Sequence, residues 1–199
     1  VLTVHNGVEP ITSTDRKSHD RVSALFVGRL VKQKDPFTLI GAIAALDDAA
    51  RNKLHPTIVG DGSLEKPTRE LIIEHGLENT ISISPRLDRV DLFKKYSSSD
   101  LFVLTSNWEG FPRSILEAMA HNLPIIATDV GGVAEAVGDD AGLLVPQARQ
   151  GALTQALKRM INDPALRAQM GAAGQRKTQG EFSLKRMCEL THEVYKQSV

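Results

Sequence analysis

A chain of 199 residues, 41% hydrophobic and 24% charged, has the composition of one soluble globular domain with a real core. Its 24 Lys and Arg balance 24 Asp and Glu, so nothing in the net charge asks for nucleic acid or an acidic membrane as partner. A single cysteine, Cys188, excludes an internal disulfide, and no apolar run approaches the roughly 18 residues of a membrane span.

Short apolar runs alternate with helical stretches along the chain. Residues 1–21 include the turn Asn6-Gly7-Val8-Glu9-Pro10 and a polar stretch from Thr12, and read as a hinge entering the domain, not as core. The start, Val1-Leu2-Thr3-Val4-His5, lacks the basic-then-apolar order of a signal peptide, which points to the cytoplasm. Val22–Val27 is a predicted strand ending at Gly28, and Phe37–Leu46 has helical spacing. Thr57–Val59 is a short strand before Gly60-Asp61-Gly62; a helix over Leu64–His75 is closed by Gly76. Ile81–Ile83 is a strand stopped by Pro85, and Asp88 caps a helix running to Tyr96. Leu101–Leu104 is a strand, Arg113–His121 a helix, and Ile125–Thr128 and Leu143–Val145 are strands. From about Ala148 the chain is helical, with breaks at Pro164 and Gly180, and Cys188 is expected as a buried structural thiol in the last, amphipathic helix. The six histidines are scattered without metal-ligand spacing, so no metal site is expected.

Continuously apolar strands alternating with helices predict a parallel sheet covered on both faces, a doubly wound α/β fold. Ligands of such folds bind outside the carboxyl ends of the strands. Four segments follow strands there. In Gly28-Arg29-Leu30-Val31-Lys32-Gln33-Lys34, the cations Arg29 and Lys34 suit a diphosphate, or form a solvated basic turn. Gly60-Asp61-Gly62 suits close approach of a flat ligand or a plain tight turn. The third segment runs Glu109-Gly110-Phe111-Pro112-Arg113-Ser114-Ile115-Leu116-Glu117. Pro112 suits a first helical turn, whose free amides favour an anion near Arg113 and Ser114. Glu117, a turn further on, is placed to accept from two ribose hydroxyls, or compensates the helix dipole; Glu109 stands in the loop before it, facing a ligand or solvent. The fourth, Gly131-Gly132-Val133-Ala134-Glu135, again allows close approach, and Glu135 starts a short helix.

Two glutamates with seven residues between them, Glu109 and Glu117, resemble the signature of family 4 of the retaining GT-B glycosyltransferases. The surroundings agree in order: Asn6-Gly7-Val8, Gly28-Arg29-Leu30 with Lys34, Gly60-Asp61-Gly62, Leu116-Glu117-Ala118-Met119-Ala120, and Gly131-Gly132 with Glu135. The resemblance covers nearly the whole chain. It implies a Rossmann-like C-terminal domain that binds a nucleoside diphosphate sugar without a cofactor or metal. Residues 22–182 would form that domain. Residues 1–21 would be the interdomain linker, and residues 183–199 a helix returning to an N-terminal acceptor domain absent from this chain. Any membrane contact, at the inner face, would be made through that absent domain.

The resemblance also implies residue roles. Arg29 and Lys34 would bind the diphosphate, Glu117 the ribose hydroxyls and Glu109 the transferred sugar. Gly28, Gly60, Gly62, Gly110, Phe111, Arg113 and Ser114 would complete the donor site, with Arg86 near the base. Pro112 and Pro85 depart from the pattern, each standing where glycine is usual. The implied reaction is sugar transfer with retention to a glycan or lipid-linked acceptor. The rival readings are a non-catalytic nucleotide-sugar-binding module and a GT-B epimerase.

Overall fold

The computed structural model describes residues 3–11, 20–147 and 149–197. In chain order the elements are β1 (Val22–Val27), α1 (Pro36–Ala44), α2 (Asp48–Asn52), β2 (Leu54–Val59), α3 (Glu65–Glu74), β3 (Ser82–Ser84), α4 (Arg89–Ser97) and β4 (Leu101–Leu104). There follow α5 (Arg113–Ala120), β5 (Ile125–Thr128), α6 (Val133–Val137), β6 (Gly142–Val145), α7 (Gln150–Asn162), α8 (Pro164–Gln179) and α9 (Leu184–Gln197). Starts follow local chemistry. Asp35 and Asp163 cap α1 and α8, whose first residue is proline in each case. Asp88 caps α4 by accepting from the Asp91 amide at 2.8 Å.

The strands form one parallel sheet in the order β3-β2-β1-β4-β5-β6. The chain builds outward from β1 to β3, then crosses back to place β4 on the other side of β1. Between β1 and β4 the winding reverses, and a crevice opens beyond their carboxyl ends. β4 and β5 are buried along their whole length because helices cover both faces of the sheet. The doubly wound α/β expectation holds.

Some elements differ from the sequence reading. β2 starts at Leu54, before Pro56; β3 pairs with β2 only from Thr57 onward, so Pro56 stands where one side of the strand is unpaired. The short helix α2, capped by Asp47 accepting from the Ala50 amide at 2.9 Å, has too few residues to show periodicity. Cys188 is exposed on α9, not buried, since this helix is covered by little of the domain.

The N-terminal segment is also not wholly separate from the core. Val8 is buried and pairs as a parallel bridge with Ser183. Its amide donates to the Phe182 carbonyl at 3.0 Å, and the Leu184 amide donates to the Val8 carbonyl at 2.9 Å. A Cβ on Gly7 would lie 2.6 Å from the Ser183 carbonyl oxygen, so only glycine allows this approach. The segment is thereby fastened to the junction of α8 and α9. Thr12–His19 of the expected hinge, with Val1, Leu2, Ala148 and the last two residues, lie outside the described residues. Among the described residues no helix is long and apolar enough to cross a membrane.

Candidate functional site

A cavity of about 720 Å³ lies beyond the carboxyl ends of β1, β2 and β3 and against α5, a volume in the usual range for small-molecule sites. Its lining includes Gly28 and Arg29 after β1, Gly60 and Asp61 after β2, Arg86 after β3, and Arg113 and Glu117 on α5. Arg89 and Phe93 of α4 form one wall, and Gly7, Val8 and Glu9 close the side nearest α9. Parallel register brings the loops together: β1 and β2 are paired from Val22↔Leu54 to Val27↔Val59, so their ends meet side by side. At that point a Cβ on Gly60, whose φ is +152°, would lie 1.9 Å from the Gly28 carbonyl oxygen. Glycine there is required by the neighbouring loop, quite apart from any ligand.

The cavity carries four arginines. Arg89 is paired with Glu9 at 3.0 Å and lies over the Phe93 ring. Among the described residues Arg29, Arg86 and Arg113 have no carboxylate partner; Arg29 only shares a 3.3 Å hydrogen bond with Gln33. Pro112 occupies the N-cap position of α5 in extended backbone (φ −75°, ψ 115°), one step before the first turn where the sequence placed it. No side chain caps that turn and no acidic residue lies in it. Three guanidinium groups without a carboxylate partner among the described residues and an uncapped helix start stand at one cavity, the chemistry that suits a polyvalent anion.

Lys34 is oriented differently. Its Nζ forms an ion pair with Glu109 Oε1, both side chains being largely buried. Ser106 Oγ donates to the same Glu109 oxygen at 2.5 Å. Gly28 makes room for the Lys34 stem, since a Cβ there would lie 3.3 Å from Lys34 Cγ. Neither Lys34 nor Glu109 lines the cavity; the pair stands beside it, joining the β1–α1 and β4–α5 loops. Further bonds lace the two loops together: Thr105 Oγ1 donates to the Asp35 carbonyl at 2.8 Å, and Asn107 Nδ2 to the Lys32 carbonyl at 2.7 Å. Gln33 Nε2 donates to the Trp108 carbonyl at 3.1 Å.

Gly62 packs under Leu30, where a Cβ would lie 2.5 Å from the Leu30 carbonyl oxygen, and it lies off the cavity. Gly110 accepts from the Gly132 amide at 2.8 Å. Phe111 stacks on His5 at 4.7 Å, and its carbonyl accepts from Asn6 Nδ2 at 3.1 Å. Ser114 lies in the first turn of α5 but not on the cavity wall. The close approach expected of Gly131 and Gly132 is to protein: Cβ atoms there would meet the Glu109 and Gly110 carbonyl oxygens at 1.9 and 2.4 Å. Glu135 lies within α6, which Gly132 starts, with Oε1 2.9 Å from His5 Nε2.

Several participants carry no motif of their own. Ser106, Gln33 and Asn107 are ordinary loop residues in sequence, and only the polar run directly after β4 hints at Ser106 and Asn107. Tyr96 is another. It is fully buried, and its hydroxyl donates to Glu117 Oε2 at 3.2 Å. Burial, with the Glu117 carboxylate beside it, pushes the Tyr96 phenol well above its usual range, so it remains a donor.

A parallel sheet in this order, with a basic cavity where its winding reverses, defines a Rossmann-like domain of the GT-B glycosyltransferase type. The chain belongs to the family Glycosyl transferases group 1, whose model matches residues 11–177. It is 33% identical over 192 residues to a D-inositol 3-phosphate glycosyltransferase of Kineococcus radiotolerans, covering 88% of this chain and 44% of that protein. It is 32% identical over 152 residues to an alpha-D-kanosaminyltransferase of Streptomyces kanamyceticus, covering 76% and 39%. A sucrose-phosphate synthase of Thermosynechococcus elongatus superposes with a TM-score of 0.83 at 26% identity, covering 98% of this chain and 51% of that one. The chain thus spans less than half the length of these two curated relatives.

Proposed function

We propose that this chain is the donor-binding half of a retaining glycosyltransferase and that its cavity holds the nucleoside diphosphate of a nucleoside diphosphate sugar. The observation that carries the reading is the set of three unpaired arginines, Arg29, Arg86 and Arg113, around one cavity that also presents Glu117. Membership of the glycosyltransferase family agrees with it. In this reading Arg29 and Arg113, with the start of α5, take the diphosphate, Glu117 accepts from the ribose hydroxyls, and Arg86 lies toward the base. As the sugar leaves, charge develops on the diphosphate, and fixed cations and amides stabilise it most in the transition state. Guanidinium groups serve here in place of a divalent cation. Glu109 meets the transferred sugar on the side of the loop, and Lys34, released from it, adds its charge to the phosphate. The acceptor site is supplied by a separate N-terminal domain, so the isolated chain binds donor but does not transfer it. Residues 3–11 and α9 would connect the two halves.

Calorimetric titration of the chain with UDP, GDP, ADP and their glucose derivatives, with and without a chelator, tests the reading. At least one diphosphate should bind, and binding should not change on chelation. Failure of every nucleotide to bind, or a large loss of affinity on chelation, would overturn it.

A further inference from the structure

Tyr96 is fully buried and does not line the cavity. Its hydroxyl lies 3.2 Å from Glu117 Oε2 and 3.4 Å from the Ser114 carbonyl oxygen, and its single proton goes to the stronger acceptor, the carboxylate. The ring cannot swing away. It stacks on His121 at 5.2 Å and meets Phe102 at 5.9 Å, with no exposed surface. No other hydrogen bond to the Glu117 side chain is made among the described residues. A glutamate has three side-chain torsions, and an exposed one is free in all of them. One oxygen of Glu117 is held by a fixed phenol, and the residue lines the cavity, which Tyr96 does not.

We propose that Tyr96 is a positioning residue that aims the Glu117 carboxylate at the vicinal hydroxyls of a ribose and so sets a preference for ribonucleotides over deoxyribonucleotides. The proposal rests on the reading of Glu117 as the ribose acceptor. A carboxylate fixed before binding presents its free lone pairs at no further ordering cost, and a site built to receive hydroxyls rejects the analogue that lacks them. Without the phenol the carboxylate must be ordered at the moment of binding, and that loss falls only on ligands having the hydroxyls.

The test is calorimetric titration of the chain with UDP and 2′,3′-dideoxy-UDP, with the guanine and adenine pairs run in parallel and the tightest-binding base used. The wild-type chain should prefer the ribose form. Tyr96→Phe should weaken the ribonucleotide about ten- to a hundredfold, the range of one hydrogen bond to a charged group, and leave the dideoxy form unchanged. In a Glu117→Ala background the same substitution should have no further effect. If Tyr96→Phe keeps the wild-type preference, or weakens both ligands equally, the positioning role is wrong and Tyr96 is a packing residue. A wild-type chain that binds both forms equally would instead refute the ribose reading of Glu117 itself, and the proposal with it. Melting curves of both variants establish that each is folded.

Discussion

Lys34 and Glu109, 75 residues apart, form a buried ion pair that joins the loop after β1 to the loop after β4. The crevice of a doubly wound sheet opens between these two strands, so the pair braces the site from beside it. Ser106 completes the arrangement by donating to Glu109, and Thr128 Oγ1 in turn donates to the Ser106 carbonyl at 2.6 Å.

Removing one partner leaves the other charged and largely buried. Lys34→Ala should therefore lower stability by about 3 kcal/mol, the scale for breaking a buried pair. The double variant Lys34→Ala with Glu109→Ala should be more stable than the Lys34 single, because the orphaned carboxylate is gone. Thermal or urea melts of the set decide it; additive losses would mean that the pair carries no coupling.

Arg29→Ala and Arg113→Ala should each weaken a nucleoside diphosphate about ten- to a hundredfold while hardly touching the bare nucleoside. Each offers an unpaired guanidinium to the cavity, and a hydrogen bond to an ion is worth roughly 1.5 to 3 kcal/mol. Equal weakening of both ligands in titrations would mark these arginines as structural.

Glu117 and Glu109 should respond differently to replacement. Glu117 lines the cavity, so Glu117→Ala should weaken every ribonucleotide, sugar-bearing or not. Glu109 stands outside the cavity, against Lys34. Glu109→Ala should not weaken a bare diphosphate, and in the two-domain enzyme it should lower kcat more than it raises KM. Competition binding and initial rates read the two effects; identical losses of diphosphate affinity would refute the division.

Tyr96 makes an alkaline signature. Its ionised form is disfavoured in the folded chain, so its pKa there lies well above the unfolded value of 10.0. Below pH 10 both states hold the proton and stability is unaffected. Above it the unfolded state releases the proton first, and stability falls by at most about 1.4 kcal/mol per pH unit from this group. In an alkaline titration followed at 295 nm, the phenolate of Tyr96 should appear only as the chain unfolds, and the step should vanish in Tyr96→Phe. Ionisation of Tyr96 in the native state would contradict the buried hydrogen bond to Glu117.

The sheet was legible in the sequence because its signals are local. Runs such as Leu101–Leu104 and Ile125–Ala127 are wholly apolar because helices cover both faces, and Asp88 announces the start of α4 through a bond to an amide three residues on. The spacing of Glu109 and Glu117 around a helix start was equally visible. The sequence could not say which of these residues share a cavity. Arg29 and Lys34 lie five positions apart on one loop, yet one faces the cavity and the other is turned to Glu109. That choice depends on a partner from a loop distant in sequence. The glycines depend on distant neighbours in the same way: the missing Cβ of Gly60 and Gly131 would strike Gly28 and Glu109, so the adjoining loops require glycine there whether or not a ligand approaches. Tyr96 reads as one more apolar position on a helix, and only packing places its hydroxyl on Glu117. Local chemistry determined the elements and the chemical types at the crevice. Contacts between residues far apart in the chain, which follow from strand order and register, decided which charges stayed free to meet a ligand.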